Sequence, residues 1–151
     1  MINTKMIDRY YIDSLTFYKM NKEKRNSLID SFTNRLLLQQ EILFALLFGS
    51  FKDYNEAVGF RDIDVALYVV NTDDPLDYAL TVAAELSIAY RLPFECIPLN
   101  SAPLFLRYRI FRSGIVLFCK DEIKMTDLME KTSLHALDFM YVRDKAIREL
   151  D

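Results

Sequence analysis

Glycine is scarce in this chain of 151 residues: only Gly49, Gly59 and Gly114, each at least ten residues from the next. A glycine-rich dinucleotide fingerprint or a Walker loop needs several glycines within a few positions, because the backbone there must turn tightly against phosphate. Both motifs are excluded. The two cysteines, Cys96 and Cys119, sit inside the apolar runs FECIPL and IVLFC. They read as small core residues of a reducing compartment and not as a disulfide framework. His135 is the only histidine. Without a His/Cys cluster there is no structural zinc site, and His135 reads as a helix-surface residue.

Long apolar runs are missing too. The longest, Ile42 to Phe48, falls far short of the roughly 20 residues a membrane-spanning helix requires. The start, MINTKMIDRYY, lacks the basic region and apolar stretch of a secretory signal. These features predict a soluble, cytoplasmic chain with no membrane segment. The net charge is −3, and no long basic cluster occurs. Broad nucleic-acid binding depends on many Lys/Arg contacts to phosphate and is disfavoured. A local phosphate site needs only a few groups and stays open.

The chain does have apolar substance. Hydrophobic residues make up 52% and aromatics 13%, which rules out a disordered polymer. The length suits one domain, which buries roughly 68–70% of its unfolded surface without needing a metal or disulfide to fold. Ile7, Tyr11, Leu15 and Tyr18 recur at helical spacing and predict a short first helix. A second is expected from about Lys22 to Gln40, with Leu28, Ile29, Phe32 and Leu36 on its inner face. ILFALLF (42–48) reads as a strand buried on both faces, residues 50–60 as a polar loop, and DIDVALYVV as a second strand. Asp74-Pro75 starts a helix whose inner stripe is Leu76, Leu80, Ala83, Leu86 and Tyr90. FECIPL (94–99) is a third strand, with Pro98 at an edge or end. A helix over Pro103 to Arg112, a strand IVLFC (115–119) and a last helix capped by Thr126 and reaching Glu149 complete the chain. This order specifies a mixed α/β or α+β domain.

Topology rules gather the polar residues at one place. The link between the first two strands is too short for a packed helical crossover, so they are expected to be antiparallel neighbours. The helical crossover to the third strand makes that pair parallel. Gly49-Ser50, Asp62, Asp64 and Glu95 then share one rim of the sheet. Strand alternation points Asp62 and Asp64 to the same face. Like charges held so close repel, and a divalent cation with carboxylate and phosphate ligands is the natural neutraliser. Gly49 permits close backbone approach, and Ser50 offers an N–H and a hydroxyl. Glu95 could share a metal or take a proton from an attacking hydroxyl. A D-x-D pair alone is usually a solvated strand entrance, so it is the convergence of all these groups that carries the reading.

FGS, then eleven residues, then DID and VALYVV, followed by ECIPLNSAPLFLRYRIFRSGIVLF, resembles the minimal nucleotidyltransferase (MNT) family of the polymerase-β-like superfamily. The likeness spans roughly residues 28–148, and TSLHALDFMYVRDKAIREL is similar to the family's closing helix. It implies a small mixed β-sheet flanked by helices in a nucleotidyltransferase domain over 22–151, and the segment 1–21, outside the likeness, is expected to be an N-terminal helical extension. It also implies Mg²⁺, one or two ions, ATP as substrate, and transfer of a nucleoside monophosphate to a hydroxyl. Carried over by position, Asp62, Asp64 and Glu95 are the metal-binding and catalytic carboxylates. Gly49 and Ser50 hold the triphosphate, with Lys52 and Arg61 the nearest cations in a loop that lacks the family's Arg-x-Gly. Many members pair as antitoxins with a HEPN-type toxin, and the better-understood ones AMPylate it, so a HEPN protein is the expected partner, with a homodimer left open. The alternatives are an inactive MNT-like module that neutralises its partner by contact, and an aminoglycoside-type enzyme acting on a small molecule.

Overall fold

The structure is a computed structural model that describes residues 7–12, 15–55 and 57–150. Its elements are strands β1 (Asp8–Ile12) and β2 (Leu15–Lys19), helix α1 (Lys22–Leu37), strand β3 (Ile42–Phe48), the single helical turn α2 (Gly49–Lys52) and strand β4 (Ile63–Val69). Helix α3 (Pro75–Tyr90), strand β5 (Phe94–Pro98), a 3₁₀ turn (Leu99–Ser101), helix α4 (Leu104–Ser113), strand β6 (Ile115–Cys119) and helix α5 (Glu122–Glu149) follow. The class is the expected mixed α+β, with a small sheet between helices.

The seven apolar residues of β3 need cover on both faces, and the sheet order β5-β4-β3-β6 places this strand inside. It pairs antiparallel with β4 and with β6, while β5 lies parallel to β4, as the connection lengths require. Alternation then sorts the side chains. Ala45 and Leu47, with Ile63, Val65 and Leu67, join the buried cluster of Leu28, Phe32 and Leu36 from α1 and of Val82, Ala83 and Leu86 from α3. Phe44, Leu46 and Ala66 turn the other way and meet Leu99 and Ile110, beneath α4 and α5. Pro98 ends β5, an edge strand, where its missing N–H leaves no ladder partner unsatisfied.

Helix starts follow local chemistry. Asn21 Oδ1 accepts from Lys24 N at 2.8 Å to cap α1, and Asp74 Oδ1 accepts from Asp77 N at 3.1 Å to cap α3, with Pro75 as its first residue. Two details differ from the sequence expectation. The inner stripe of α3 is Ala79, Val82, Ala83, Leu86 and Tyr90, whereas Leu76 and Leu80 are 54% and 57% exposed. The small Ala79 and Ala83 let the helix approach the sheet, and that rotation carries the two leucines to the flank. Helix α5 begins earlier than Thr126: Asp121, two residues after the strand ends, accepts from Lys124 N at 3.0 Å and serves as the cap. No described helix is long and apolar enough to cross a membrane.

The first helix is not formed. The segment is an antiparallel β1–β2 hairpin, with Tyr10 opposite Phe17 and Arg9 opposite Tyr18; Met1–Met6, Asp13 and Ser14, within the expected extension, lie outside the described residues. Cross-strand aromatic pairing stabilises the hairpin, since Tyr10 and Phe17 stack at 5.3 Å. A long-range partner completes it. Tyr18 and Phe60 exchange backbone hydrogen bonds of 2.8 and 3.0 Å, and their rings stack at 5.7 Å. Helical spacing was present in this segment, but aromatic partners on a neighbouring strand and a distant loop outweigh weak local propensity.

Tyr54 ties the loop after α2 to the same region: its hydroxyl donates to Met20 O and accepts from Met20 N, the latter at 2.7 Å. Tyr54→Phe leaves both backbone groups of the buried Met20 unpaired and is expected to lower stability by about 1–3 kcal/mol. A reduced urea midpoint with an unchanged slope is the measurement that checks this.

Candidate active site

The end of β3, the start of β4 and the start of β5 meet at one edge of the sheet. Phe48 pairs with Asp64 across β3–β4, and Asp64 pairs with Glu95 across β4–β5. Directly paired residues project to the same face, so Asp64 and Glu95 stand side by side, and Asp62 joins them two residues upstream. One ligand oxygen from each of Asp62, Asp64 and Glu95 lies within 4.8 Å of the others. This is the side of the sheet that carries α4.

Crowding is written in the electrostatics. The Asp64 carboxyl is pushed from 3.8 up to about 7, by burial first, then by the charges of Asp62 and Glu95, with a hydrogen bond to Glu95 adding to the rise. Beneath it, burial first and then the charges of Asp64 and Glu95 push the Cys96 thiol up to about 12, so this cysteine is an inert core group. Cys96 and Cys119 are both free. The donor set fits a hard divalent cation. Three carboxylate oxygens sit close enough to share one or two ions with oxygen ligands at about 2.0–2.1 Å, and a positive charge there would offset the burial and the repulsion that together hold Asp64 protonated.

That repulsion has a measurable consequence without metal. Folded Asp64 keeps its proton to about pH 7, whereas an aspartate in the unfolded chain releases it near pH ~3.9. Its contribution to stability is therefore fully present below the unfolded value and is lost as pH rises through about 7. Discounted for partial exposure, the loss is about 1–2 kcal/mol. In the presence of a chelator, denaturant midpoints should fall from pH 5.5 to pH 8, conditions about one to two units either side of neutrality. Asp64→Asn should flatten that part of the dependence, and an unchanged slope in the variant would assign it elsewhere.

Gly49 opens α2 with φ of +79°, a region that favours glycine. A Cβ added there would stand 3.0 Å from Asp64 Cγ and closer still to Oδ2, so the bare backbone is what allows the carboxylate to sit against the turn. Ser50 is exposed on the same turn. Gly49, Asp53 and Asp64 form one side of a cavity of about 360 Å³, and Leu106, Arg109, Ile110 and Ser113 of α4 form the other. A larger cleft of about 420 Å³ lies between α1 and α3, lined by Arg35, Gln39 and Glu85. It contains none of the three clustered acids, so the chemistry is assigned to the smaller cavity.

The remaining sequence candidates are placed as follows. Lys52 Nζ pairs with Asp53 Oδ1 at 2.7 Å, and Arg61 is exposed on the bend before Asp62; neither lines the cavity. His135 is exposed on α5. Arg109 and Ser113 were not singled out from the sequence. Their signal was nevertheless there: Leu106, Arg109, Ile110 and Ser113 follow the i, i+3, i+4, i+7 pattern of one helix face, and Ile110 is fully buried.

Known proteins share this fold. The family model for polymerase beta nucleotidyltransferases matches residues 28–123. No curated protein sequence matches the chain. Among solved structures, the MntA–HepT toxin–antitoxin complex gives a chain 20% identical with a TM-score of 0.60, covering 82% of this chain and 97% of that one. A tri-AMPylated Shewanella oneidensis HEPN toxin in complex with its MNT antitoxin gives 20% identity and a TM-score of 0.63, covering 83% and 98%. A toxin–antitoxin complex with AMP-PNP gives 18% identity and a TM-score of 0.58, covering 86% and 98%. With the paired acids at the sheet edge, the glycine turn beside them and the match over most of its length, the chain belongs to the polymerase beta nucleotidyltransferase family.

Proposed function

We propose that the protein transfers AMP from ATP to a hydroxyl of a protein partner, the HEPN-type toxin of a toxin–antitoxin pair. The observation that carries this reading is the set of three carboxylate oxygens within 4.8 Å of one another, beside a turn kept free of side chain at Gly49. The similar structures that contain a HEPN toxin, one of them AMPylated, support the choice of partner and nucleotide.

In this reading Asp62, Asp64 and Glu95 hold Mg²⁺, which when bound neutralises phosphate charge and orients the leaving group. The chain's own groups do the rest. Gly49 and Ser50 receive the triphosphate at the turn, with Lys52 and Arg61 on the loop that borders it. Glu95, the exposed member of the three, accepts the proton of the acceptor hydroxyl. The acceptor oxygen then bonds to the α-phosphorus, the bond from that phosphorus to the bridging oxygen breaks, and pyrophosphate leaves with the electron pair. A hydroxyl on a protein reaches this site because the acids lie at the sheet rim and not in a closed chamber.

The test is position-specific labelling. Incubated with the co-encoded HEPN protein and Mg²⁺, ATP labelled at the α-phosphate should mark the partner, and ATP labelled at the γ-phosphate should not. Label from the γ-position would make the protein a kinase, and no label from either would leave a binding module.

A further inference from the structure

The acids at the rim need a cationic counterpart for a substrate that brings several negative charges, and the adjoining loop's cations are occupied or turned away. Lys52 Nζ is paired with Asp53 at 2.7 Å. Arg25 reaches the same loop from α1, but its Nε and Nη2 donate to the carbonyls of Phe51 and Lys52 at 3.2 and 2.8 Å. Arg61 does not line the cavity.

Helix α4 offers a cation from the opposite wall. Arg109 lines the same 360 Å³ cavity as Gly49 and Asp64. Among the described residues its guanidinium has neither hydrogen bond nor ion pair. The other arginines of this helix differ: Arg107 Nε donates to Thr132 Oγ1 at 2.7 Å and holds α4 to α5, and Arg112 is outside the cavity lining. Ser113 cannot substitute, because its hydroxyl already donates to Arg109 O at 2.9 Å.

We propose that Arg109 binds the β- and γ-phosphates of the nucleoside triphosphate across the cavity from Gly49, while the α-phosphate lies at the three acids. This rests on the nucleotidyltransferase reading and deepens it. A guanidinium presents paired N–H donors in a fork that matches two phosphate oxygens, and such charge-assisted bonds are about twice as strong as neutral ones. The contact also tightens during reaction, since negative charge accumulates on pyrophosphate as its bond to the α-phosphorus breaks. The triphosphate is thereby held between two elements far apart in sequence, the turn after β3 and the middle of α4. A chain with few glycines binds polyphosphate through an arginine where a glycine-rich loop would use backbone N–H groups.

Calorimetric titration of the full chain with Mg²⁺ and α,β-methylene-ATP, and separately with AMP, tests the assignment. Arg109→Ala should weaken α,β-methylene-ATP by on the order of 10–100-fold, the effect of losing charge-assisted hydrogen bonds. AMP affinity should stay within about twofold, since AMP lacks both phosphates that the arginine holds. Arg109→Lys should fall between the two, keeping the charge without the fork. Equal losses for both ligands would move Arg109 to the base or ribose and overturn the proposal, as would no loss for either. If the wild-type protein itself binds no α,β-methylene-ATP, the nucleotidyltransferase reading fails and this proposal with it; thermal unfolding of Arg109→Ala confirms that the exposed substitution leaves the fold intact.

Discussion

Replacing Asp62 or Asp64 by asparagine is expected to lower AMP transfer by on the order of 10³-fold while the protein remains folded. Asparagine keeps the size and one oxygen but removes the charge that, in the proposed function, would hold a divalent ion. Loss of the several kcal/mol that metal contributes to phosphoryl chemistry corresponds to roughly three powers of ten in rate. The fold responds in the opposite direction. Asp64 carries a carboxyl pushed up to about 7 by burial and by its acidic neighbours, so neutralising it removes a buried charge and its repulsion, while the asparagine amide can still donate to Glu95. In chelator at pH 8, a condition roughly one unit above the carboxyl's titration, Asp64→Asn should therefore unfold at a higher temperature than the wild type. Added Mg²⁺ should raise the unfolding temperature of the wild type and leave that of the variant nearly unchanged. Full transfer activity in either variant would show that the acids do not hold the ion, and a variant destabilised in chelator would show that Asp64 makes structural bonds of its own.

Gly49→Ala is expected to reduce transfer by on the order of 10²-fold, out of proportion to its effect on stability. Two costs meet at this position. The backbone angle of +79° strains an alanine by about 1–2 kcal/mol, and the new Cβ would stand 3.0 Å from Asp64 Cγ with Oδ2 closer still. The obstructing atoms belong to the end of a short side chain and not to backbone, so Asp64 turns aside while the sheet stays in place. A displacement of roughly 1 Å at a reacting centre is enough for a 10²-fold loss. Parallel measurement of the unfolding midpoint and of the transfer rate separates the two effects. A variant that loses stability and activity together, or that keeps full activity, would mean that the glycine serves the turn alone.

Much of the site was legible because short connections leave the chain few choices. The segment between β3 and β4 has no room for a helical crossover, which made the pair antiparallel, and the helix between β4 and β5 made that pair parallel. Those two facts bring Gly49, Asp64 and Glu95 to one edge, where the register pairs Phe48 with Asp64 and Asp64 with Glu95. Period-two alternation added Asp62. Each inference used neighbouring residues or a connection length, the quantities a linear sequence carries.

Other features depended on contacts between distant segments. Ile7, Tyr11, Leu15 and Tyr18 fit helical spacing, yet the segment is a hairpin because Tyr18 bonds to and stacks on Phe60, 42 residues away in number. A local pattern cannot weigh a partner it does not contain. The arginines of α4 give the same lesson at the site. Arg107, Arg109 and Arg112 look alike in LFLRYRIFRS, and only the rotation of the packed helix separates a tie to Thr132 from a side chain lining the cavity.

By itself the sequence determined the mixed class, the strand pairing around β3, the absence of glycine-rich phosphate loops and the convergence of three acids with one glycine. Tertiary structure alone decided the hairpin, the exposed flank of α3 and the wall that Arg109 contributes. The physical reason is one of range: alternation, capping and loop length act within a few residues. Helix rotation and long-range aromatic pairing are settled by packing against surfaces that exist only once the chain has folded.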